Sequence, residues 1–269
     1  MSTATAEAPA PAPAIAAAAA RPAQPITAAA VDQFHQHGYT SAPALLPSIE
    51  ADRYRAAALA FANAPERTAY SNNPVFTQLV NVWKQDDVLR ELTFHPLVIK
   101  AVHALAKGRP MRLWHDHLLI KRPKNGFASE FHQDQPYWSI TRDTFTISAW
   151  VALGDATMES GCMGFIPDTF QQRGLRAQNL SDANDLVSLM PDWRFRERVV
   201  VPLQSGGVTF HQGFCAHRAG ENTTDRDRVA MSIIWVDADA EFNGAGHCVT
   251  DDLNLQVGDH LPEHRCPLV

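Results

Sequence analysis

The sequence predicts a mainly β protein, a sandwich or barrel with α-helices contributed by its N-terminal third. Up to residue 107 the apolar residues recur at helical spacing, whereas after residue 110 they form short or alternating runs separated by Gly, Pro, Asp and Asn. Strands as short and numerous as these are typical of antiparallel sandwiches and barrels. With 45% hydrophobic residues among 269, the chain can fill one large core.

Three helical segments are predicted before residue 110. The first follows Thr27, whose hydroxyl can cap its N-terminus, and ends near Gly38. The second covers Asp52–Ala64, and the third covers Asp86–Lys107 with a break at Pro96. We expect these helices to flank the strands that follow.

The predicted strands are interrupted by a long polar loop over residues 171–198. Loops of that length in a compact domain are usually lids or binding loops. The strands are predicted over Leu113–Ile120, Phe145–Leu153, Gly161–Pro167, Val199–Pro202, Val208–Phe210 and Val229–Val236.

Composition sets the limits of the folded domain and the class of partner. Residues 1–25 are mostly Ala and Pro with few large side chains to bury, so we predict a disordered tail there and one domain over residues 26–269. The net charge of −6 offers no basic excess for nucleic acid, and the chain lacks a convincing membrane span. Four cysteines without a C-x-x-C spacing predict a reducing, cytoplasmic compartment.

A histidine and a carboxylate two residues apart, His132 and Asp134, form the most informative pattern. On an extended strand such positions project to the same face about 7 Å apart, so both side chains can reach one cation. Taken alone, the pattern also fits an ordinary His–Asp hydrogen bond on a strand.

His217 and Arg228, far along the chain from Asp134, complete a pattern for a metal and a co-substrate. His217 supplies a second histidine, and Arg228 follows 11 residues later at the start of an alternating strand. Two histidines and one carboxylate with open positions are the ligands of non-haem Fe(II) oxygenases. A 2-oxo acid bound to such a metal needs a fixed cation for its far carboxylate, and Arg supplies a bidentate one.

The sequence resembles the phytanoyl-CoA dioxygenase superfamily of Fe(II)/2-oxoglutarate-dependent oxygenases. The resemblance rests on the segments FHQDQPYW (131–138), SAWVALGD (148–155) and GCMGFIP (161–167), on residues 207–236, and on the opening FHQHGY (34–39). It implies the fold of that family, a double-stranded β-helix or jelly roll with flanking N-terminal α-helices.

Carried over residue by residue, the resemblance implies that His132, Asp134 and His217 bind Fe(II). It implies that Arg228 binds the C5 carboxylate of 2-oxoglutarate, with O2 as the other co-substrate, and that Trp150 lines the co-substrate pocket.

One departure from the family concerns the residues after the distal histidine. The family often has Gly-Ser there, with the serine touching 2-oxoglutarate, whereas this chain has Arg218-Ala219. A serine contact is therefore absent or comes from elsewhere, for instance from Ser148 or Ser232.

Two other histidine patterns compete for the metal. His211 lies 17 residues before Arg228, so we prefer His217 as the ligand and interpret His211 as a core histidine or one that surrounds the metal site. In His115-Asp116-His117 adjacent residues face opposite sides of a strand, which argues against a metal pair. The scattered residues His247, Cys248, His260, His264 and Cys266 fit no common zinc module.

Substrate contacts are predicted from position. Gln133, Tyr137 and Trp138 follow the predicted iron ligands, where a substrate would approach. His117 and Lys121 share a strand face that can look into the barrel, so either can touch substrate or co-substrate. An ordinary structural role is the alternative for each of these residues.

The function that the resemblance implies is hydroxylation of an unactivated C–H bond of a small molecule, with release of succinate and CO2. We expect a secondary-metabolism intermediate or an amino-acid-like compound, and no nucleic-acid or membrane partner. Desaturation or ring formation by the same oxidant is an alternative, and so are a jelly-roll metal-binding protein without turnover and a zinc hydrolase. Asp134 disfavours halogenation, because related halogenases carry a small residue at that position. The sequence does not indicate the oligomeric state.

Overall fold

The computed structural model describes residues 21–64 and 75–269. The helices are α1 (Ala28–His37), α2 (Ser48–Asn63), α3 (Asp87–Thr93), α4 (Pro96–Ala106) and α5 (Asp185–Leu189). The strands are β1 (Tyr39–Ala42), β2 (Thr77–Val80), β3 (Met111–Lys121), β4 (Ser129–His132), β5 (Thr146–Ala152), β6 (Met163–Phe165), β7 (Val199–Val201), β8 (Val208–His211), β9 (His217–Ala219) and β10 (Arg228–Asp237). No helix of the described ranges is long and apolar enough to cross a membrane.

Two antiparallel sheets form the predicted jelly roll. The larger has the strand order β1-β8-β5-β10-β3-β2 and the smaller has the order β4-β9-β6-β7. Helices α1 to α4 pack on one face of the larger sheet, where alternate strand residues such as Leu118 and Ile120 join the main core. The residues between them, including His117 and Leu119, face a cavity on the other side of that sheet. The period of two along β3 therefore separates core from site.

The helix ends follow local sequence signals. The Thr27 hydroxyl accepts a hydrogen bond from the amide of Ala30 at 3.2 Å, and Gly38 ends α1 with φ of 82°, a left-handed conformation that favours glycine. The predicted break at Pro96 is confirmed, because this residue begins α4 after α3 has ended. The second helix begins at Ser48, four residues before its predicted start.

Two predicted irregular segments contain ordered structure. The predicted loop over residues 171–198 includes α5 and a 3-10 turn over Pro191–Phe195. Of the predicted tail, residues 1–20 lie outside the described residues, and residues 21–25 run along the domain. The backbone amide of Arg21 donates to the Ser48 hydroxyl at 3.0 Å, and that of Gln24 donates to the Ala44 carbonyl at 2.7 Å.

Candidate metal centre

The smaller sheet brings the predicted metal ligands together. His132 ends β4 and His217 begins β9, and these two residues are directly paired across the strands. Asp134 lies beyond the end of β4, with φ of −75° and ψ of −44°. The expectation that His132 and Asp134 share the face of one strand is therefore wrong. The chain turns into a 3-10 segment after His132, and this turn brings the carboxylate back to the imidazoles.

The three side chains form a compact set of donor atoms. Asp134 Oδ1 lies 3.4 Å from His132 Nε2 and 3.5 Å from His217 Nε2. Each imidazole uses its Nδ1 toward a backbone carbonyl, that of Glu130 at 2.6 Å and that of Cys215 at 2.9 Å. With Nδ1 protonated, each Nε2 keeps its lone pair for the centre of the cluster. In the part of the chain that the structure describes, this is the group of three residues able to hold a metal ion.

His211 contacts the same carboxylate from its other oxygen. Its Nε2 lies 3.2 Å from Asp134 Oδ2, and its ring centroid is 4.2 Å from that of His217. The Ser148 hydroxyl is 3.5 Å from the same Oδ2. The geometry thus fits the interpretation of His211 as a histidine that surrounds the site, with Oδ1 left for the metal.

Electrostatics keep the carboxylate ionised. Burial by itself raises the pKa of Asp134, but the neighbouring imidazoles of His217, His132 and His211 outweigh burial and hold it well below its usual range. Burial lowers the pKa of His132. For His217 the effect of burial is outweighed by Asp134, which raises the pKa of this imidazole. A carboxylate and imidazole nitrogens are a donor set suited to Fe(II).

Arg228 lies in the same cavity as a buried cation, and two of its nitrogens have no hydrogen-bond partner among the described residues. It begins β10, is 4% exposed, and its Nε and Nη1 make no hydrogen bond to any described residue. Its guanidinium carbon lies 5.2 Å from the ring of Trp150, which also lines the cavity. Burial lowers the pKa of Arg228 to about 10, so the side chain remains charged at neutral pH. Unsatisfied buried donors of this kind fit a carboxylate ligand.

The side chain of Lys121 points away from the cavity. Although it pairs with Arg228 across β3 and β10, its ammonium donates to the carbonyls of Phe127 at 2.9 Å, Ala219 at 3.0 Å and Gly220 at 2.5 Å. These three bonds use all of its donors. Lys121 therefore fastens β3 to the end of β9, and the structure does not bring it to the predicted co-substrate pocket.

The remaining predicted contacts divide between the cavity and its surroundings. A cavity of about 290 Å³ is lined by His117, Tyr137, Trp138 and Ser232 as well as by the metal cluster. Gln133 is fully buried away from it, because its amide nitrogen donates to the carbonyls of Gln172 and Phe214.

The segment 171–198 is fastened beside the metal ligands. The Tyr137 hydroxyl donates to the carbonyl of Gln178, and the backbone amide of Gln133 donates to the side chain of this same glutamine. Part of the predicted loop therefore closes the cavity, and Leu180 lines it.

His115 and His247 are among the cavity residues that sequence reasoning did not assign to the site. The histidine spacing on β3 gave a signal for His115, because it lies two residues before His117. His247 follows the last strand, and no local pattern connects it with β3.

Comparisons with known proteins agree with this geometry. A family model described as phytanoyl-CoA dioxygenase matches residues 34–230. Phytanoyl-CoA dioxygenase domain-containing protein 1 of Mus musculus is 28% identical over 160 residues, which are 57% of this chain and 54% of that protein. The chain thus spans about half the length of the curated relatives of this description. Methylphosphonate hydroxylase of Gimesia maris is 26% identical over 221 residues, 78% of this chain and 80% of that protein.

Solved structures extend the similarity over most of the chain. The non-heme alpha ketoglutarate dependent carbocyclase SnoK from nogalamycin biosynthesis is 29% identical with a TM-score of 0.80, covering 91% of this chain and 96% of that one. The epimerase SnoN from the same biosynthesis is 27% identical with a TM-score of 0.76, covering 89% and 94%. With the family model matched over residues 34–230, this chain belongs to the phytanoyl-CoA dioxygenase family.

Proposed function

We propose that this protein is an Fe(II)- and 2-oxoglutarate-dependent oxygenase that hydroxylates an unactivated C–H bond of a small molecule. One observation carries the proposal. A cluster of two histidines and one carboxylate shares a cavity with Arg228, whose buried donors have no partner among the described residues. A protein that only binds a metal, or a zinc hydrolase, has no use for this cation.

The residues of the site divide between the two ligands. His132, Asp134 and His217 would hold Fe(II) and leave its other positions open. Arg228 would bind the far carboxylate of 2-oxoglutarate, with Trp150 stacked against the guanidinium to fix its orientation.

When bound, iron and 2-oxoglutarate supply O2 activation, with release of succinate and CO2, and an oxidant able to remove hydrogen from carbon. The chain supplies position and shelter. Tyr137 and Trp138 wall the cavity beside the metal cluster and limit the access of water. His211 steadies the carboxylate ligand through Asp134 Oδ2.

Ring formation is the second candidate reaction at this site. Solved structures similar over nearly the whole chain include a carbocyclase and an epimerase from nogalamycin biosynthesis. Hydroxylation and ring formation both start with removal of hydrogen from carbon, and the placement of the substrate decides between them. A small-molecule substrate of secondary metabolism fits this similarity. The described residues contain no disulfide, in keeping with a cytoplasmic location.

The proposal is tested by turnover without substrate. With Fe(II) and 2-oxoglutarate in air, the wild-type protein should release succinate in proportion to the O2 it consumes. His217→Ala and Arg228→Ala should lower the rate by about 100-fold at low 2-oxoglutarate, whereas the matched control His260→Ala, at an exposed position, should not change it. No succinate from the iron-loaded wild-type protein would contradict the proposal, and hydrolysis that proceeds without O2 would favour a hydrolase.

A further inference from the structure

The far side of the cavity is a wall of aromatic rings that the metal cluster does not use. The wall consists of His115, His117 and His247 with Trp138 beside them, and the buried Trp114 packs against His247 from behind. A β-bulge in β3 produces this arrangement. His115 pairs with Ile234 and Leu113 pairs with Trp235 across β10, so Trp114 has no opposite residue. The extra residue turns Trp114 toward the same side as His115.

The rings of the wall stack on one another. The ring centroid of His247 lies 5.3 Å from that of His115, with 13° between their planes, and 5.1 Å from that of Trp114, with 27° between planes. His115 meets Trp138 edge to face at 6.3 Å. Such a wall offers flat faces and edges to a ring-shaped ligand.

Polar atoms of the wall are available to a ligand. His115 is 3% exposed, and its Nδ1 has no hydrogen-bond partner among the described residues. Gln78 Nε2 donates to His117 Nδ1 at 2.8 Å, so the proton of the neutral His117 ring lies on Nε2. The wall can therefore both donate to and accept from a hydroxyl or carbonyl group.

The wall is uncharged. Burial lowers the pKa of His117 and of His247 to about 4, and burial together with these two histidines lowers the pKa of His115 well below its usual value. Of the described residues that line the cavity, Arg228 is the one Arg or Lys and Asp134 is the one acidic residue.

At the inner end of the cavity the charges already balance, so no counter-charge remains for a charged substrate. With both ligands bound, Fe(II) and the Arg228 guanidinium balance Asp134 and the two carboxylates of 2-oxoglutarate. An anionic substrate would then be buried without a counter-charge, which is costly.

We propose that the wall of His115, His117 and His247, backed by Trp114, is the substrate subsite, and that it selects an uncharged, ring-containing molecule bearing hydroxyl or carbonyl oxygen. This charge pattern disfavours acyl-CoA and phosphonate substrates, which the names of some relatives indicate. That the bound molecule is the substrate of an oxygenase rests on the proposed function. The preference for an uncharged ring follows from the residues that line the cavity.

A matched pair of probes tests the charge preference. Neutral 2-naphthol and anionic naphthalene-2-sulfonate share one ring system and differ in charge. Binding to the full chain with Fe(II) and 2-oxoglutarate under argon is measured by isothermal titration calorimetry at pH 7.5. The dissociation constant of naphthol should be at least about 10-fold below that of the sulfonate.

Ring-conserving variants test the wall. His115→Phe and His117→Phe keep an aromatic ring at the position but remove both ring nitrogens, so each should weaken naphthol binding by about 5- to 10-fold. The matched control His260→Phe should leave it unchanged. Equal or tighter binding of the sulfonate, no binding of either probe, or wall variants that behave like the control would overturn the proposal.

The same samples separate this inference from the proposed function. The visible charge-transfer band of iron-bound 2-oxoglutarate reports the reaction site and should persist in His115→Phe. If the band is present and naphthol is not preferred, the subsite proposal fails alone. If naphthol is preferred and the wild-type protein shows no band, the proposed oxygenase function fails and the subsite stands.

Discussion

The cavity holds two groups of histidines that differ in whether a carboxylate joins them. At the inner end, His132, His211 and His217 all approach the carboxylate of Asp134 within 3.5 Å. At the outer end, His115, His117 and His247 contact one another and other aromatic rings. No carboxylate among the described residues accepts a hydrogen bond or ion pair from the rings of this outer group.

The comparison shows that the two groups differ in their shared carboxylate more than in the pKa values of their histidines. Burial lowers the pKa of His117 to about 4. It also lowers the pKa of His132 and of His211, the latter to about 4, although both contact Asp134. Asp134 outweighs burial at His217 and raises its pKa. The inner group suits a cation because its imidazole nitrogens converge on the ionised Asp134, and the outer group presents neutral rings. Both groups contribute to one cavity because β3 and β9 face each other across it.

The largest expected effect separates the histidines of the inner group. His217→Ala should weaken Fe(II) binding by more than about 100-fold, because it removes a ligand. His211→Ala should weaken it by about 10-fold, because it only frees Asp134 Oδ2 from its partner. Anaerobic competition against a coloured chelator measures both affinities. Equal losses in the two variants would make His211 a ligand and break the distinction.

Arg228→Ala should raise the dissociation constant of 2-oxoglutarate by about 100-fold, since a buried charge-assisted contact is worth about 3 kcal/mol. Fe(II) affinity should stay within about twofold. Arg218→Ala, a change on β9 at a partly exposed residue, is the matched control. The assignment fails if 2-oxoglutarate binds to Arg228→Ala with wild-type affinity.

Lys121→Met tests whether this lysine serves the fold or the co-substrate. Three carbonyls would lose their donor, so the free energy of unfolding in urea should fall by about 3 kcal/mol. The affinity for 2-oxoglutarate should change by less than about threefold. Lys107→Met, on the surface, should do neither. A large loss of 2-oxoglutarate affinity with little loss of stability would show instead that Lys121 binds the co-substrate.

The last prediction is a pH dependence of stability that comes from the outer group. In the metal-free protein, His117 and His247 stay neutral down to about pH 4, whereas in the unfolded chain they take up protons below about pH 6.5. The free energy of unfolding should therefore decrease as the pH falls from 6.5 to 4, by at most about 1.4 kcal/mol per pH unit for each histidine. His247→Phe should show a shallower slope, and an unchanged slope would mean that this histidine is already charged.

Sequence reasoning succeeded where local chemistry decides the structure. Thr27 and Gly38 mark the ends of α1, and Pro96 separates two helices, because each acts through its own backbone neighbours. The order of His132, Asp134, His217 and Arg228 also pointed to residues that line one cavity.

Long-range contacts and local irregularities of the backbone could not be predicted from the sequence. Asp134 reaches the metal cluster through a turn, and the bulge at Trp114 changes which residues face the cavity. Gln133 and Lys121 lie next to the predicted site in the sequence and on the strand, but their side chains donate to carbonyls of distant segments and so point away from the cavity. His247 joins the wall only through tertiary packing.

The central claim is that this cavity binds Fe(II) and 2-oxoglutarate together, and an anaerobic titration of both into the metal-free protein tests it most directly. The account predicts a weak visible charge-transfer band that forms with the wild-type protein and with His211→Ala and is lost in His217→Ala. Iron that binds without producing the band in the wild-type protein, or a band that His217→Ala leaves intact, would contradict it.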